Sequence, residues 1–353
     1  MLRRVFLSGF LLLAAFTVAC SGDESPTSTP APTDAVGTAT EVATPTPTPE
    51  PRSITFMAGF RPQANLPFAA VYVAEAEGFF AQEGLTVDIQ HSSGQDEHLK
   101  FLLDGSVTVT TGTAAQAVRR VEEDLPVVAV ALFGQRGDQG YVARADSGIS
   151  GPADFAGKSV GFKAGVIPAE LLAMLGGVGL TKDDVELVSV GFDPRVFIEG
   201  QVDIYPVFLN NEPDTIRTAG TEVTVIDPHD FDVPTLGLTF LVTRETLADG
   251  DLVERFLRAT MRATAWIEAN PEAAVEIVLQ HAEGADAAHQ RFLLDTELAN
   301  ARRDDGMGRA SLDQWQALAD LLLQYEVITS EVDVAQVFEG AVIDGLYERG
   351  EIE

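Results

Sequence analysis

From residue 54 onward, short apolar runs alternate with longer amphipathic stretches. Runs at 54–58, 87–89, 107–110 and 127–133 have strand length and β-branched character. Between them, residues 67–77, 97–103 and 114–121 repeat apolar positions at helical spacing. Pro67 sits near a helix start, where its missing N–H costs nothing, and Gly78 supplies a stop. A second set follows, with strands at 159–162, 185–190, 202–207 and 223–226. Its helices fall at 169–175, around Val196 and from Glu212. Residues 238–242 read as a strand returning to the first set. Beyond about Leu252 the pattern is almost wholly helical, at 256–269, 273–281, 288–300, 312–325 and 337–347. Strand–helix alternation of this kind builds mainly parallel sheets covered by helices. The expected fold is α/β, with two lobes, each a mainly parallel sheet flanked by helices, and a helical C-terminal tail. Ligands of such sheets sit beyond the strand C-termini. Two facing rows of strand ends make a cleft that closes by hinge motion.

The first fifty residues follow other rules. Arg3 and Arg4 precede an apolar run at 5–16, too short to cross a bilayer comfortably. The run ends in Thr17-Val18-Ala19-Cys20, which resembles a lipobox, although Thr17 stands where Leu is preferred. The expectation is a signal peptide over 1–19, lipidation at Cys20, and a Pro/Thr-rich linker over 20–52. That linker carries almost no large apolar side chains, so burial cannot offset its ordering entropy. Where polyproline-like it extends about 3.1 Å per residue. It would hold a folded body near a membrane, on the extracytoplasmic side. The expected lobes are 53–143 with 238–353, and 144–237.

Charge and composition remove several classes. The chain of 353 residues carries 54 acidic and 23 basic side chains, a formal net charge of −31. Such a field repels nucleic acid phosphates. Cys20 is the single cysteine, so no intramolecular disulfide and no cysteine zinc cluster can form. The five histidines, His91, His98, His229, His281 and His289, have no metal-site spacing, and His281 and His289 read as surface residues of the tail. No metal and no cofactor are expected. Ala156-Gly157-Lys158-Ser159 has the tail of a phosphate loop, but Pro152 stands at its first glycine and a strand follows.

Candidate ligand contacts lie where strands end. In the first lobe these are Asn65, Ser93, Thr111 and Thr113, with Gln135 and Tyr141 near the first crossing between lobes. In the second lobe they are Phe162, Tyr205, Asn211 and Glu212, while Lys163 reads as exposed and Tyr72 as core. Helix capping competes with ligand contact at Asn65, Thr111 and Thr113, and a helix N-terminus with ligand contact at Glu212. A buried carboxylate needs donors, which an N–H-bearing heterocycle or sugar-like hydroxyls supply.

Residues 68–85, with Gly78-Phe79-Phe80 and Gly84-Leu85, resemble a signature of binding proteins related to the thiamine-pyrimidine synthase of yeast. Residues 103–107, 125–129, 148–161 and Val202-Asp203 match further elements of that family in order. The resemblance implies a two-lobed solute-binding lipoprotein, monomeric, serving an ABC permease. It implies crossings near Arg144 and Leu238, and a tail packed on the first lobe. Residues 210–213 resemble an element of its pyrimidine- and flavin-binding members, in which the glutamate contacts the ligand. The implied ligand is riboflavin; the alternatives are a thiamine pyrimidine precursor, then a sulfonate or nitrate. The synthase needs a lysine and a histidine where this chain has Gly112 and Gln116, so no catalysis is expected. A tethered scaffold without a cleft is the alternative from a different class.

Overall fold

A computed structural model describes residues 50–163 and 165–352. The expected leader, the lipidation of Cys20 and the linker up to residue 49 lie outside the described residues. The chain enters through β1 (Arg52–Ala58), α1 (Leu66–Ala76), a short α2 (Phe79–Gln82), β2 (Leu85–His91), α3 (Glu97–Leu103), β3 (Val109–Thr113), α4 (Ala114–Glu122) and β4 (Val127–Leu132). It then crosses into β5 (Gln139–Arg144), β6 (Ser159–Phe162), α5 (Ala169–Gly177), β7 (Glu186–Ser189), α6 (Arg195–Ile198), β8 (Ile204–Phe208), α7 (Glu212–Thr218) and β9 (Val223–Ile226). It returns as β10 (Leu238–Thr243), followed by α8 (Arg244–Ala248), α9 (Gly250–Ala269), α10 (Pro271–His281), α11 (Ala287–Ala301), α12 (Leu312–Gln324) and α13 (Ala341–Glu348).

The two sheets share one plan. The first has the order β2-β1-β3-β10-β4 and the second β7-β6-β8-β5-β9. In each, the fourth strand is the one arriving from the other lobe, and it runs antiparallel to both neighbours. The remaining ladders of the first three strands are parallel.

This corrects two expectations. The first crossing does not fall near Arg144 but over residues 133–138, because residues 139–144 pair with β8 and β9 of the second sheet. The linker also ends earlier, since Arg52 already pairs with Leu85.

Alternation along β4 explains the layers. Val128, Val130 and Ala131 face a core with α1, α9, α10, α11 and α13, where Phe56, Phe240 and Phe256 pack edge and face. Val127, Ala129 and Leu132 face a second core with α3, α4 and α12, around Trp315 and Phe338. Both faces are covered, so the strand is apolar throughout. The second lobe likewise has a core on each face of its sheet. The tail does not pack on the first lobe alone. Trp315, Leu318 and Leu322 of α12 sit in the first lobe, while Leu321 and Tyr325 join a core of the second.

The crossings run side by side. Gly237 N–H donates to Gly134 O (2.8 Å), and Phe133 and Gly134 N–H donate to Leu238 O (2.9 and 3.1 Å). Gly137 N–H donates to Thr235 Oγ1 (3.0 Å), and Arg136 pairs with Asp227 (3.2 Å). A Cβ on Gly134 would lie 2.5 Å from the Gly237 Cα, a backbone atom that cannot swing aside. Gly134→Ala is therefore expected to destabilise the protein by about 1–3 kcal/mol, the usual range for forced overpacking. Urea unfolding checks this, and an unchanged midpoint would contradict the close approach.

Candidate functional site

The loops after β1, β6, β7 and β8 lead to the junction between lobes, where their residues meet Glu212 and Glu297. The loop after β1 carries Phe60 and Arg61 outward, with Phe60 46% exposed. It ends in Asn65, the buried residue before α1, whose side-chain oxygen accepts from Gln63. On the other side, β6 ends in half-buried Phe162 and leads to Lys163.

Lys163 is not exposed. Its ammonium lies 2.6 Å from Glu212 Oε1 and 5.0, 5.2 and 5.4 Å from the ring centres of Tyr205, Phe192 and Phe208. Three ring faces and one carboxylate replace the water it loses. Glu212, 5% exposed, also accepts Phe208 N–H at 2.7 Å, so the chain itself meets part of its demand for donors. Phe192 forms the open wall of this box and is 63% exposed.

The tail closes the junction from the side. Glu297 of α11 accepts Leu66 N–H of the first lobe (3.2 Å) and the Asn210 side-chain amide of the second (2.6 Å), with Asn65 beside it. A cavity of about 160 Å³ opens here, lined by Arg136, Asp138, Asn210, Asp227, Glu297 and Asn300. Burial first pushes the Glu297 carboxyl up to about 7, and the charge of Asp138 adds to it. Desolvation raises Asp138 to about 6, followed by the charges of Glu170 and Glu212. Glu170 and Asp227 are raised by burial as well. Several carboxylates thus converge where Lys163 and Arg136 are the cations at hand. Such a junction favours a solute that donates hydrogen bonds over one that brings negative charge.

The structure brings Asn65, Phe162, Asn211 and Glu212 to this junction. Asn211 Oδ1 is already held by His289 Nε2 (2.9 Å). The other candidates serve the scaffold. Ser93 is exposed and donates to Glu97 from both N–H and hydroxyl. Thr111 is fully buried and its hydroxyl accepts Gly59 N–H (2.8 Å). Thr113 caps α4 in a reciprocal pair with Gln116. Gln135 is tied to the tail through Arg303, Arg309 and Gln314. Tyr141 is buried against Phe155, and Tyr205 donates to Gly191 O while its ring walls the Lys163 box.

Sequence reasoning passed over Lys163, Phe192, Asp138 and Glu297. The first two also follow strand ends, which was the available signal. Nothing in the local pattern marks Glu297, 87 positions from Asn210. His98 was missed too. It is 4% exposed beside Gly59, and neither ring nitrogen has a partner among the described residues; burial lowers its pKa. His281 and His289 are half-buried rather than surface residues. His281 stacks on Tyr72, whose hydroxyl meets His91 at 2.6 Å.

The raised Glu297 pKa has a signed consequence. The folded state holds a proton on Glu297 up to about pH 7, whereas an unfolded chain releases it near the ordinary carboxylate value of 4.5. Stability contributed by this group is thus complete below that lower value and is lost as pH rises toward about 7. Asp138 adds to the same trend. The expected result is a fall of a few kcal/mol in unfolding free energy between mildly acidic and mildly alkaline buffer, made shallower by Glu297→Gln. Equal slopes in parent and variant would contradict the assignment.

A family profile described as NMT1/THI5 like matches residues 65–274. The riboflavin-binding protein RibY of Chloroflexus aurantiacus (strain ATCC 29366 / DSM 635 / J-10-fl) is 27% identical over 97% of this chain and 98% of its own. The formylaminopyrimidine-binding protein of Halalkalibacterium halodurans is 25% identical over 66% of this chain and 72% of its own. Among solved structures, the periplasmic aliphatic sulphonate binding protein SsuA from Escherichia coli superposes with a TM-score of 0.65. It covers 82% of this chain and 93% of its own at 16% identity. That last likeness establishes the two-lobed α/β binding-protein fold. The profile spans more than half the sequence, and the chain belongs to the NMT1/THI5-like family.

Proposed function

We propose that this protein is the solute-binding component of an ABC importer, and that it takes up riboflavin without transforming it. The observation that carries the reading is the half-open box of Phe192, Tyr205 and Phe208 around the Lys163–Glu212 pair, beside the acceptors that both lobes bring to Glu297. Flat rings bind between aromatic faces, and flavin N–H and ribityl hydroxyls would meet the carboxylates. The full-length similarity to RibY supports the same ligand. The cavity of about 160 Å³ is smaller than ordinary ligand sites of about 300–1,000 Å³, so the lobes must part to admit a flavin. In this reading the protein acts outside the cytoplasm, tethered through Cys20 by the Pro/Thr-rich linker. The lobe boundaries fall in the two crossings, 133–138 and 227–237.

The small acidic cavity and the resemblance to the formylaminopyrimidine-binding protein favour an aminopyrimidine as the second reading. Sulfonates and nitrate fit poorly, because the cations at hand, Lys163 and Arg136, are already paired with Glu212 and Asp227 and leave no free positive charge to balance them.

Titration by flavin fluorescence tests the first reading. Riboflavin should be quenched with single-site saturation, and Phe192→Ala should weaken binding by about two- to tenfold, the usual range for an aromatic contact. Saturation by an aminopyrimidine with no flavin quenching would transfer the assignment to the second reading. Quenching untouched by Phe192→Ala would remove that ring from the site.

A further inference from the structure

Helix α11 meets the two lobes in different ways. Toward the first lobe it presents Leu293, Leu294, Leu298 and Ala301, all within that lobe's core. Gln290 Oε1 accepts Ala64 N–H (2.8 Å), and Glu297 Oε2 accepts Leu66 N–H (3.2 Å). Toward the second lobe, among the described residues, it contributes no side chain to either apolar core. Its hydrogen bonds there run to three side chains of the segment entering α7. His289 bridges Asp214 Oδ2 through Nδ1 (2.7 Å) and Asn211 Oδ1 through Nε2 (2.9 Å). Glu297 Oε1 accepts from Asn210 Nδ2 (2.6 Å). Positions 289 and 297 are two turns apart, so one stripe of the helix makes both grips. A polar stripe that exchanges partners with water opens far more readily than a packed apolar face.

We propose that α11 is the closure latch of the cleft: it is fixed to the first lobe by its apolar face and releases the second lobe by breaking His289–Asp214/Asn211 and Glu297–Asn210. The residues it grips adjoin Glu212, which holds Lys163 and the Phe208 N–H, so the stripe that joins the lobes bears on the same segment as the site. Opposite in character is α12, which reaches the second lobe with Leu321 and Tyr325 in an apolar core and serves as the pivot. The latch rests on the reading of the junction as a ligand cleft, but its geometry can be tested without any ligand.

Residues beyond Cys20 contain no cysteine, so a labelled pair can be introduced cleanly. Glu77→Cys on the first lobe and Asp183→Cys on the second are both exposed. Spin-label distances are measured in ligand-free protein carrying this pair. The parent should give one distance. His289→Ala with Asn210→Ala should add a longer one, with the open-to-closed ratio raised about tenfold or more, as expected for losing two or three net hydrogen bonds. Gln290→Ala, which cuts a bond to the first lobe only, should leave the parent distribution unchanged. Should the double variant fail to fold, the half-exposed Asn211→Ala and Asp214→Ala changes address the same grip and should lengthen the distance too.

An unchanged distribution in the lobe-2 variants would overturn the latch. Equal opening by Gln290→Ala would also overturn it, because the effect would then be general loosening. Riboflavin and aminopyrimidine titrations on the same samples keep the two questions separate. A parent that binds neither, while the lobe-2 variants open as described, refutes the ligand reading alone. A parent that binds but does not open in the variants refutes the latch alone.

Discussion

Everything in this molecule turns on two backbone segments that touch. Gly134 and Gly237 lie on the two crossings, and their hydrogen bonds make those crossings a single double strand. Because each crossing feeds a central antiparallel strand of the sheet it enters, neither lobe can form its sheet without the chain from the other. The arrangement fixes which ends of both sheets meet. The loops after β1, β6, β7 and β8 are brought together, and side chains that are remote in sequence become neighbours. A glycine pair is suited to the position, since two backbones approach more closely than any Cβ permits.

What the crossings bring together is energetically costly. Glu297, Asp138, Glu170 and Asp227 all have raised pKa values caused first by burial, so the fold tolerates carboxyls where an apolar core would be more stable. The cost is partly offset by local donors: Leu66 N–H and Asn210 for Glu297, Phe208 N–H and Lys163 for Glu212. Concentrating acceptors at a lobe junction makes chemical sense when a donating solute completes the set. It also explains why the tail grips the second lobe by polar contacts at α11. An apolar seal there would hold the lobes shut.

The sequence was most legible where structure is local. Residues 159–162 and 223–226 are strands where their apolar runs lie, and the tail helices appear near their predicted spans. The strand over residues 139–144 was not recognised as part of the second lobe. Period and composition reveal a strand but not the sheet it joins, and Gly137 and Gly140 blur its start. The capping role of Thr113 was read as an alternative and is what the structure contains. The local pattern around Lys163 suggests an exposed loop residue, because Glu212 and the three rings that enclose it come from α7, β8 and the loop after β7. His289 and Glu297 carry no local signal, since their second-lobe partners lie 75 to 87 positions away.

The account stands on a solute held by both lobes at once. Hydrogen exchange, followed by mass spectrometry with and without saturating riboflavin or an aminopyrimidine, examines this directly. The expected result is simultaneous slowing in residues 59–65 of the first lobe and in residues 190–193 and 209–212 of the second. Slowing confined to one lobe, or located away from all three segments, would contradict it.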